Sequence, residues 1–495
     1  MKKISIGRDT SLILATFLLS RIIVSLFGVR MDYEALYRNW QYLDVRTLRD
    51  SLLSGLWYDH TQPPVFNFLL GIVVQSTGKF APTVFILALK AISLINAFLL
   101  LRIGKRLLPA PATGQPSIIR HLPLIISLLY LLSPATILFE NELFYTSFIS
   151  LLFLISAISL LSLQQTINWK NTAGFLLPLL AIAMTRSMYH LVWLLVIIAA
   201  IVFFYRKKAG VLRIATVGLL ILLLAGGWYV RNYLLFGSFS SSTWMGMNLA
   251  RNVYHDAPTP DSSDIASVEP FSPISAYKPW LTPADTARFT GVGGRDLHEV
   301  MKNDSFINEK NAAYITVSRL YMESCKRQIK AHPLRVLSNI AQSAIIFFAP
   351  ATRYTVNEYQ AKKIMYYDLL YSFNLSHFAK GKQQRRIALT LSAIPKLLIY
   401  LLVFGWWCRR IIRTRSIDAL TAFLFLVMAY VFCLSSVFEH YENMRFRYEV
   451  EPLFLILAGQ AIAGWLQTRP GLKNGRSAIG DGRIKLPQDP LPERP

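Results

Sequence analysis

The chain reads as an all-α protein that crosses a membrane many times, and three observations carry that reading. Of its 495 residues 53% are hydrophobic and only 16% charged, against about 25% charged in soluble domains, and the mean hydropathy is +0.38. Apolar runs recur that approach the ~20 residues a helix needs to cross a bilayer. Basic residues gather in the short gaps between those runs: Arg102, Lys105, Arg106 and Arg120; Arg206, Lys207, Lys208 and Arg213; Arg409, Arg410, Arg413 and Arg415. Lipid offers the backbone no hydrogen bonds, so the runs must be helices or strands of a closed barrel. They are too long and too continuous for strands. The clustered cations follow the pattern of cytoplasmic loops. The net charge of +24 is therefore no nucleic-acid footprint, and no nucleic-acid partner is expected.

The first run, 11–29, follows Lys2, Lys3 and Arg8. Its flanks resemble a signal peptide, but no small-residue cleavage site precedes Asp32 and more runs follow, so it is expected to stay as a helix with its N-terminus inside. Nine more crossings are expected at about 82–103, 122–139, 146–163, 172–184, 190–205, 211–230, 388–407, 417–437 and 450–467. Two shorter runs, 63–78 and 335–350, read as half-crossing or interfacial helices, which makes about 10–12 membrane helices in all. Alternation places the three basic clusters named above inside. Residues 1–467 form the integral membrane region, with outer loops at 30–62 and about 231–387, the latter holding an amphipathic helix from about 306 to 330. The Pro/Gly-rich basic stretch 468–495 reads as a disordered cytoplasmic tail. No internal repeat is evident, which weighs against inverted-repeat transporters. Cys325, Cys408 and Cys433 show neither metal-ligand spacing nor a disulfide framework.

Polar residues that interrupt apolar stretches are the candidates for chemistry. The first loop begins RMDYEALYRNW and ends YDHTQPPVFNFLL. Asp32 and Glu34 stand just past the first helix, two residues apart, so on a helix only one can face a given atom. Pro63 and Pro64 start the next helix and would set Asp59, His60 and Gln62 at the membrane surface; an ordinary solvated loop is the plain alternative. Glu140 and Glu142 break the apolar SPATILFENELFYTSF. Either they are interfacial residues or they wall the same acidic pocket. Arg186 and His190, four apart, share a helix face, as snorkelling residues or as a cation awaiting a phosphate. After the seventh crossing, Asn248, Arg251 and Asn252 lie among Trp228, Tyr233, Trp244 and Tyr254. Such a mixture suits sugars and equally suits an interfacial aromatic belt. The last turn, VFEHYENMRFRYEVEP, is the most specific: Glu442, Arg445 and Arg447 fall between two apolar helices. A guanidinium fork matches phosphate oxygens, and internal ion pairing is the alternative.

The order of these pieces resembles the GT-C superfamily of polyprenyl-phosphate-sugar-dependent glycosyltransferases, nearest the protein O-mannosyltransferase and lipid A aminoarabinose transferase group. The resemblance rests on the acidic motif after the first helix, QPPVFNFLLG, RNYLLFGSF followed by GMNLARN, and ENMRFRYEVEP, and spans most of residues 10–467. It implies a lipid-phosphate sugar donor, a lipid, glycan or protein acceptor, and an inverting displacement at the extracytoplasmic face of a cell membrane, a bacterial inner membrane. It implies that Asp32 is the general base, although Tyr33 separates Asp32 from Glu34 where many relatives have adjacent acids, so both carboxylates are candidates. Arg445, Arg447 and Arg186 would bind the donor phosphate. Asp59, His60, Gln62, Glu140, Glu142, His190, Asn248, Arg251, Asn252 and Glu442 would line the substrate site. No P-loop or Rossmann pattern is present, as an already activated donor would allow. A divalent metal bridging acid and phosphate is chemically compatible, but no motif demands one. The competing reading is a transporter or flippase for a lipid-linked or anionic substrate.

Overall fold

The structure, a computed structural model, describes residues 7–108, 117–255, 261–287, 289, 294–303, 305–353 and 358–467. The expected tail at 468–495 lies outside the described residues. The fold is all-α; among the described residues there is one two-stranded hairpin, Met301–Lys302 paired to Phe306–Ile307, and seven helices are long and apolar enough to cross a membrane. The chain is a multi-pass membrane protein.

The helices follow in order as α1 (Arg8–Leu26), α2 (Pro64–Thr77), α3 (Ala81–Leu107), α4 (Ser117–Leu132), α5 (Thr146–Gln165), α6 (Trp169–Ala183), α7 (Leu191–Tyr205) and α8 (Val211–Phe236). Then come α9 (Met245–Val253), α10 (Ala313–Ala331), α11 (Pro333–Ile346), α12 (Gly381–Thr414), α13 (Ala419–Phe438) and α14 (Asn443–Gln467). Polar turns set the boundaries. Asn168 accepts a hydrogen bond from Asn171 N at the start of α6 and Asp418 one from Thr421 N at the start of α13, each satisfying an otherwise orphaned amide. Gly237, with φ of +72°, closes α8 in a left-handed conformation that costs other residues about 1 kcal/mol or more.

The expected boundaries shift at three places. The run 122–139 is not one continuous helix: α4 ends at Leu132, and Pro134, which lacks an amide hydrogen, restarts the chain as a short helix, Pro134–Phe139. The run 63–78 joins the next crossing into 44 nearly continuous helical residues, too long at 1.5 Å per residue for a ~30 Å core. Gly78, with φ of +49°, turns the chain there, and α2 packs on the short first-loop helices Val45–Asp50 and Leu52–Tyr58. The amphipathic segment expected over 306–330 is α10, which starts only at Ala313, because Phe306 and Ile307 belong to the hairpin.

Burial separates the centre of the bundle from its periphery. The spanning windows of α5 and α14 are each 61% buried, whereas those of α1, α8 and α12 are 22%, 28% and 28% buried. The latter three present apolar surface outward, as helices facing acyl chains do. Above one end of the bundle a second cluster forms from Trp244, Met247, Tyr277, Tyr314, Val317 and Tyr321, with Trp40 from the first loop packed against it. It depends on the close approach of α9 to α10. A Cβ on Gly246 would meet the Ser318 carbonyl oxygen at 1.8 Å.

Gly246→Ala should therefore pry α9 from α10 and lower stability by about 1–3 kcal/mol, the usual cost of overpacking. Gly227→Ala, where a Cβ meets nothing within 4 Å, should leave the unfolding midpoint unchanged or raise it. Thermal unfolding of the two variants in one detergent checks the pair.

Candidate functional site

A cavity lies where several helices terminate at the same end of the bundle. Its lining draws on the first loop (Trp40, Gln41, Gln62), the α6–α7 turn (Arg186, His190), the segment entering α9 and its first turn (Ser240, Trp244, Asn248), and the α13–α14 turn with the first turn of α14 (Glu439, Arg445). Of the residues singled out from the sequence, it brings together Gln62, Arg186, His190, Asn248 and Arg445. The basic clusters at 102–106, 206–213 and 409–415 sit at the opposite ends of their helices.

Each arginine is held by a carboxylate. Arg186 is salt-bridged to Glu449, whose second oxygen accepts from the Tyr189 hydroxyl at 2.7 Å, and its guanidinium lies 3.7 Å from the Phe446 ring centroid. Arg445 reaches Glu442 at 3.3 Å and stacks against Phe144. Arg251 bridges Glu439 and Glu442, 2.9 Å to each. Burial raises the carboxyls of both acids. Arg251 and Arg445 outweigh this at Glu442, which is held below the usual carboxylate range, while Glu439, burdened also by the Glu442 charge, stays above it.

Asp32 stands beside this network. Its amide donates to the Asn141 carbonyl at 3.1 Å, pairing the backbone of Asp32 with that of Glu142. Its carboxylate accepts from Arg38 and is about a quarter exposed, at 26%. Glu34 is exposed, two residues on. Glu142 is the exception among the acids. It is buried, and neither carboxyl oxygen has a hydrogen-bond partner among the described residues. Burial, together with the charges of Asp32 and Glu442 and against the pull of Arg445, pushes its carboxyl up to about 8.

Other candidates take up positions behind or away from the cavity. Asp59 accepts from Lys310 Nζ at 2.7 Å and from the Thr61 amide and hydroxyl. His60 donates from Nε2 to the Lys310 carbonyl at 2.9 Å, while Nδ1 accepts from the Thr243 hydroxyl at 2.6 Å. Burial drives His60 down to about 4, so it stays neutral. Together Asp59 and His60 pin the first loop to the long loop and set Gln62 in the lining. Asn252 donates to the carbonyls of Ser436 and Val437 and latches α9 to the end of α13. Glu140 is salt-bridged to Arg21 of α1. Arg447 donates to the carbonyls of Phe347 and Ala349 and pairs with Glu451, which also binds Lys396. Arg447 thus faces away from the cavity. Gln41, Tyr145 and the serines 240–242 line it but carry no signal in the sequence, since such residues fill loops everywhere. Arg21 passes as one more charge in an apolar run.

Two polar atoms in the cavity wall are left over. Gln62 Oε1 and Trp244 Nε1 are buried without hydrogen-bond partners among the described residues, one an acceptor and one a donor. The Trp244 ring stacks on Trp40 at 5.4 Å and 13°. The site can thus offer an apolar ring edge, unspent hydrogen-bonding capacity and two guanidinium groups to one ligand. Among the described residues no group of three or more His, Cys, Asp or Glu side chains is placed to hold a metal ion. Fold and site together define a multi-pass membrane protein with a charged cavity at one end of its bundle. Compared with protein families and with curated proteins, the chain matches none.

The raised Glu142 carboxyl has a consequence for stability. A carboxyl whose pKa lies higher in the fold than in the unfolded chain binds more protons when folded, between about 4.5 and about 8. Its contribution therefore weakens as pH rises through that window, by up to about 1.4 kcal/mol per pH unit. Glu142→Gln removes the dependence. The unfolding midpoint of the variant minus that of wild type should grow from pH 5 to pH 8; a flat difference would show that Glu142 is ionised throughout.

Proposed function

We propose that the chain is a membrane glycosyltransferase that moves a sugar from a polyprenyl-phosphate donor to a lipid, glycan or protein acceptor. The observation that carries this reading is the cavity wall in which Gln62 Oε1 and Trp244 Nε1, without hydrogen-bond partners among the described residues, and the Trp40–Trp244 stack stand beside Arg186 and Arg445. A sugar packs its C–H face on an aromatic ring and gives its hydroxyls to such donors and acceptors. A leaving phosphate gains charge in the transition state, where a guanidinium in a water-poor site acts most strongly. Glu442 and Glu449 already share these two arginines, so the phosphate competes with them for the same donors. Arg447, spent on carbonyls and Glu451, is assigned no part in donor binding.

In the reaction the acceptor hydroxyl oxygen bonds to the anomeric carbon, the bond from that carbon to the phosphate oxygen breaks, and its electron pair leaves with the phosphate. The hydroxyl proton passes to a carboxylate. On the resemblance this is Asp32, with Glu34 two residues on. The basic clusters at the far helix ends support, by the positive-inside rule, a cavity on the extracytoplasmic side of a cell membrane. A transporter would line a path through the bundle with charge, whereas Lys396 and Arg447, within the spanning region, are both salt-bridged to Glu451.

Purified protein incubated with a panel of polyprenyl-phosphate sugars and cell-envelope acceptors should transfer sugar. Asp32→Asn should lower kcat about 10²–10⁴-fold with an unchanged unfolding midpoint. Should Glu34→Gln be the variant that loses activity, the base moves two residues; if neither matters, the enzyme reading falls. Arg445→Lys keeps a charge but loses the bidentate fork. It should reduce kcat/KM for the donor while leaving the acceptor KM close to wild type, and equal effects on both substrates would contradict a phosphate role.

A further inference from the structure

A second cavity opens beside the α13–α14 turn and shares no lining residue with the first. It is walled by Arg353, Lys382, Arg385, Arg386, Leu389 and Tyr441. Arg353, Lys382 and Arg385 thus face one space. Glu358 is 3.1 Å from Arg353 and 3.6 Å from Arg385, and it is shared further with Lys362 at 4.0 Å. Arg386 donates to Gln342 of α11. Lys382 and Arg385 are exposed. Among the described residues, three cations therefore share one carboxylate and Lys382 adds a further positive charge beside them.

The depth of the cavity says what neutralises it. The cations occupy the first turns of α12, and the exposed apolar surface of that helix begins at the next residue. Ile387, Ile394 and Leu401 are all exposed and spaced seven apart, which keeps them nearly in line on a helix. The chain therefore passes from cationic to acyl-facing surface within one residue rise of about 1.5 Å, which is the level at which headgroups meet hydrocarbon. We propose that this cavity binds the phosphate-bearing headgroup of an anionic membrane phospholipid, with an acyl chain descending along α12. Arg353, Lys382 and Arg385 contact the phosphate oxygens, and Tyr441, held by its contacts with His440 and His255, closes the side toward the first cavity. The site is independent of the proposed sugar transfer.

The test uses the full chain in neutral detergent, titrated by native mass spectrometry with dioleoylphosphatidylglycerol or dioleoylphosphatidylcholine. Wild type should retain the glycerol lipid preferentially. Lys382→Ala with Arg385→Ala should weaken retention on the order of 25-fold, about fivefold per cation near a membrane surface. Lys207→Ala with Lys208→Ala, which removes two exposed cations at the other helix ends, should not. If the double variant fails to fold, Arg385→Lys against Arg385→Gln replaces it, the first retaining lipid and the second losing it. Equal retention of both lipids, equal effects of the two lysine-containing pairs, or displacement of the glycerol lipid by millimolar inorganic phosphate overturns the proposal.

Discussion

A charge that enters the apolar body of this protein must bring its partner with it. Moving an ion into a low-dielectric interior costs several kcal/mol, and an opposite charge in good geometry is what offsets it. The pairs Arg21–Glu140, Lys310–Asp59, Arg186–Glu449 and Arg447–Glu451 are buried or nearly so. The first three join segments more than 100 residues apart. Breaking one partner of such a pair costs about 3–5 kcal/mol, so each acts as a register pin. The α6–α7 turn sits where it does because Arg186 must meet Glu449. The first loop folds over the bundle end because Asp59 must meet Lys310.

The cavity is a product of those pins. Gln62 follows Asp59 and His60, both fully engaged with the long loop. Trp244 follows Thr243, whose hydroxyl and amide tie to His60. Two loops that meet through a buried salt bridge thereby present their adjacent residues to one space. Glu142 breaks the rule, being buried beside Asp32 without a hydrogen-bond partner among the described residues. A carboxyl there lowers its cost by holding its proton, which is what its upward shift expresses.

Much of the architecture was legible beforehand because it follows from local physics. Lipid forbids unpaired backbone, so apolar runs of sufficient length had to be helices, and the crossings at 146–163, 211–230 and 417–437 match α5, α8 and α13 within a few residues at most boundaries. The end of α4 at Leu132, short of the expected 139, also has a local cause in Pro134. The junction of 63–78 with the following helix does not, since whether an apolar run spans or lies on its neighbours depends on what packs against it.

The site divides in the same way. Sequence determined that carboxylates, arginines and amides would collect at the ends of apolar helices, because charge is excluded from helix centres and the alternation of crossings sorts those ends onto two faces. It could not say which arginine meets which acid. Arg445 and Arg447 are two residues apart in one helix, hence about 200° apart around its axis. Arg445 therefore lines the cavity while Arg447 turns toward Phe347, Ala349 and Glu451. Only tertiary packing decides that assignment, because a pairing between charges depends on distance in space, and helix rotation converts neighbours in sequence into residues with different surroundings.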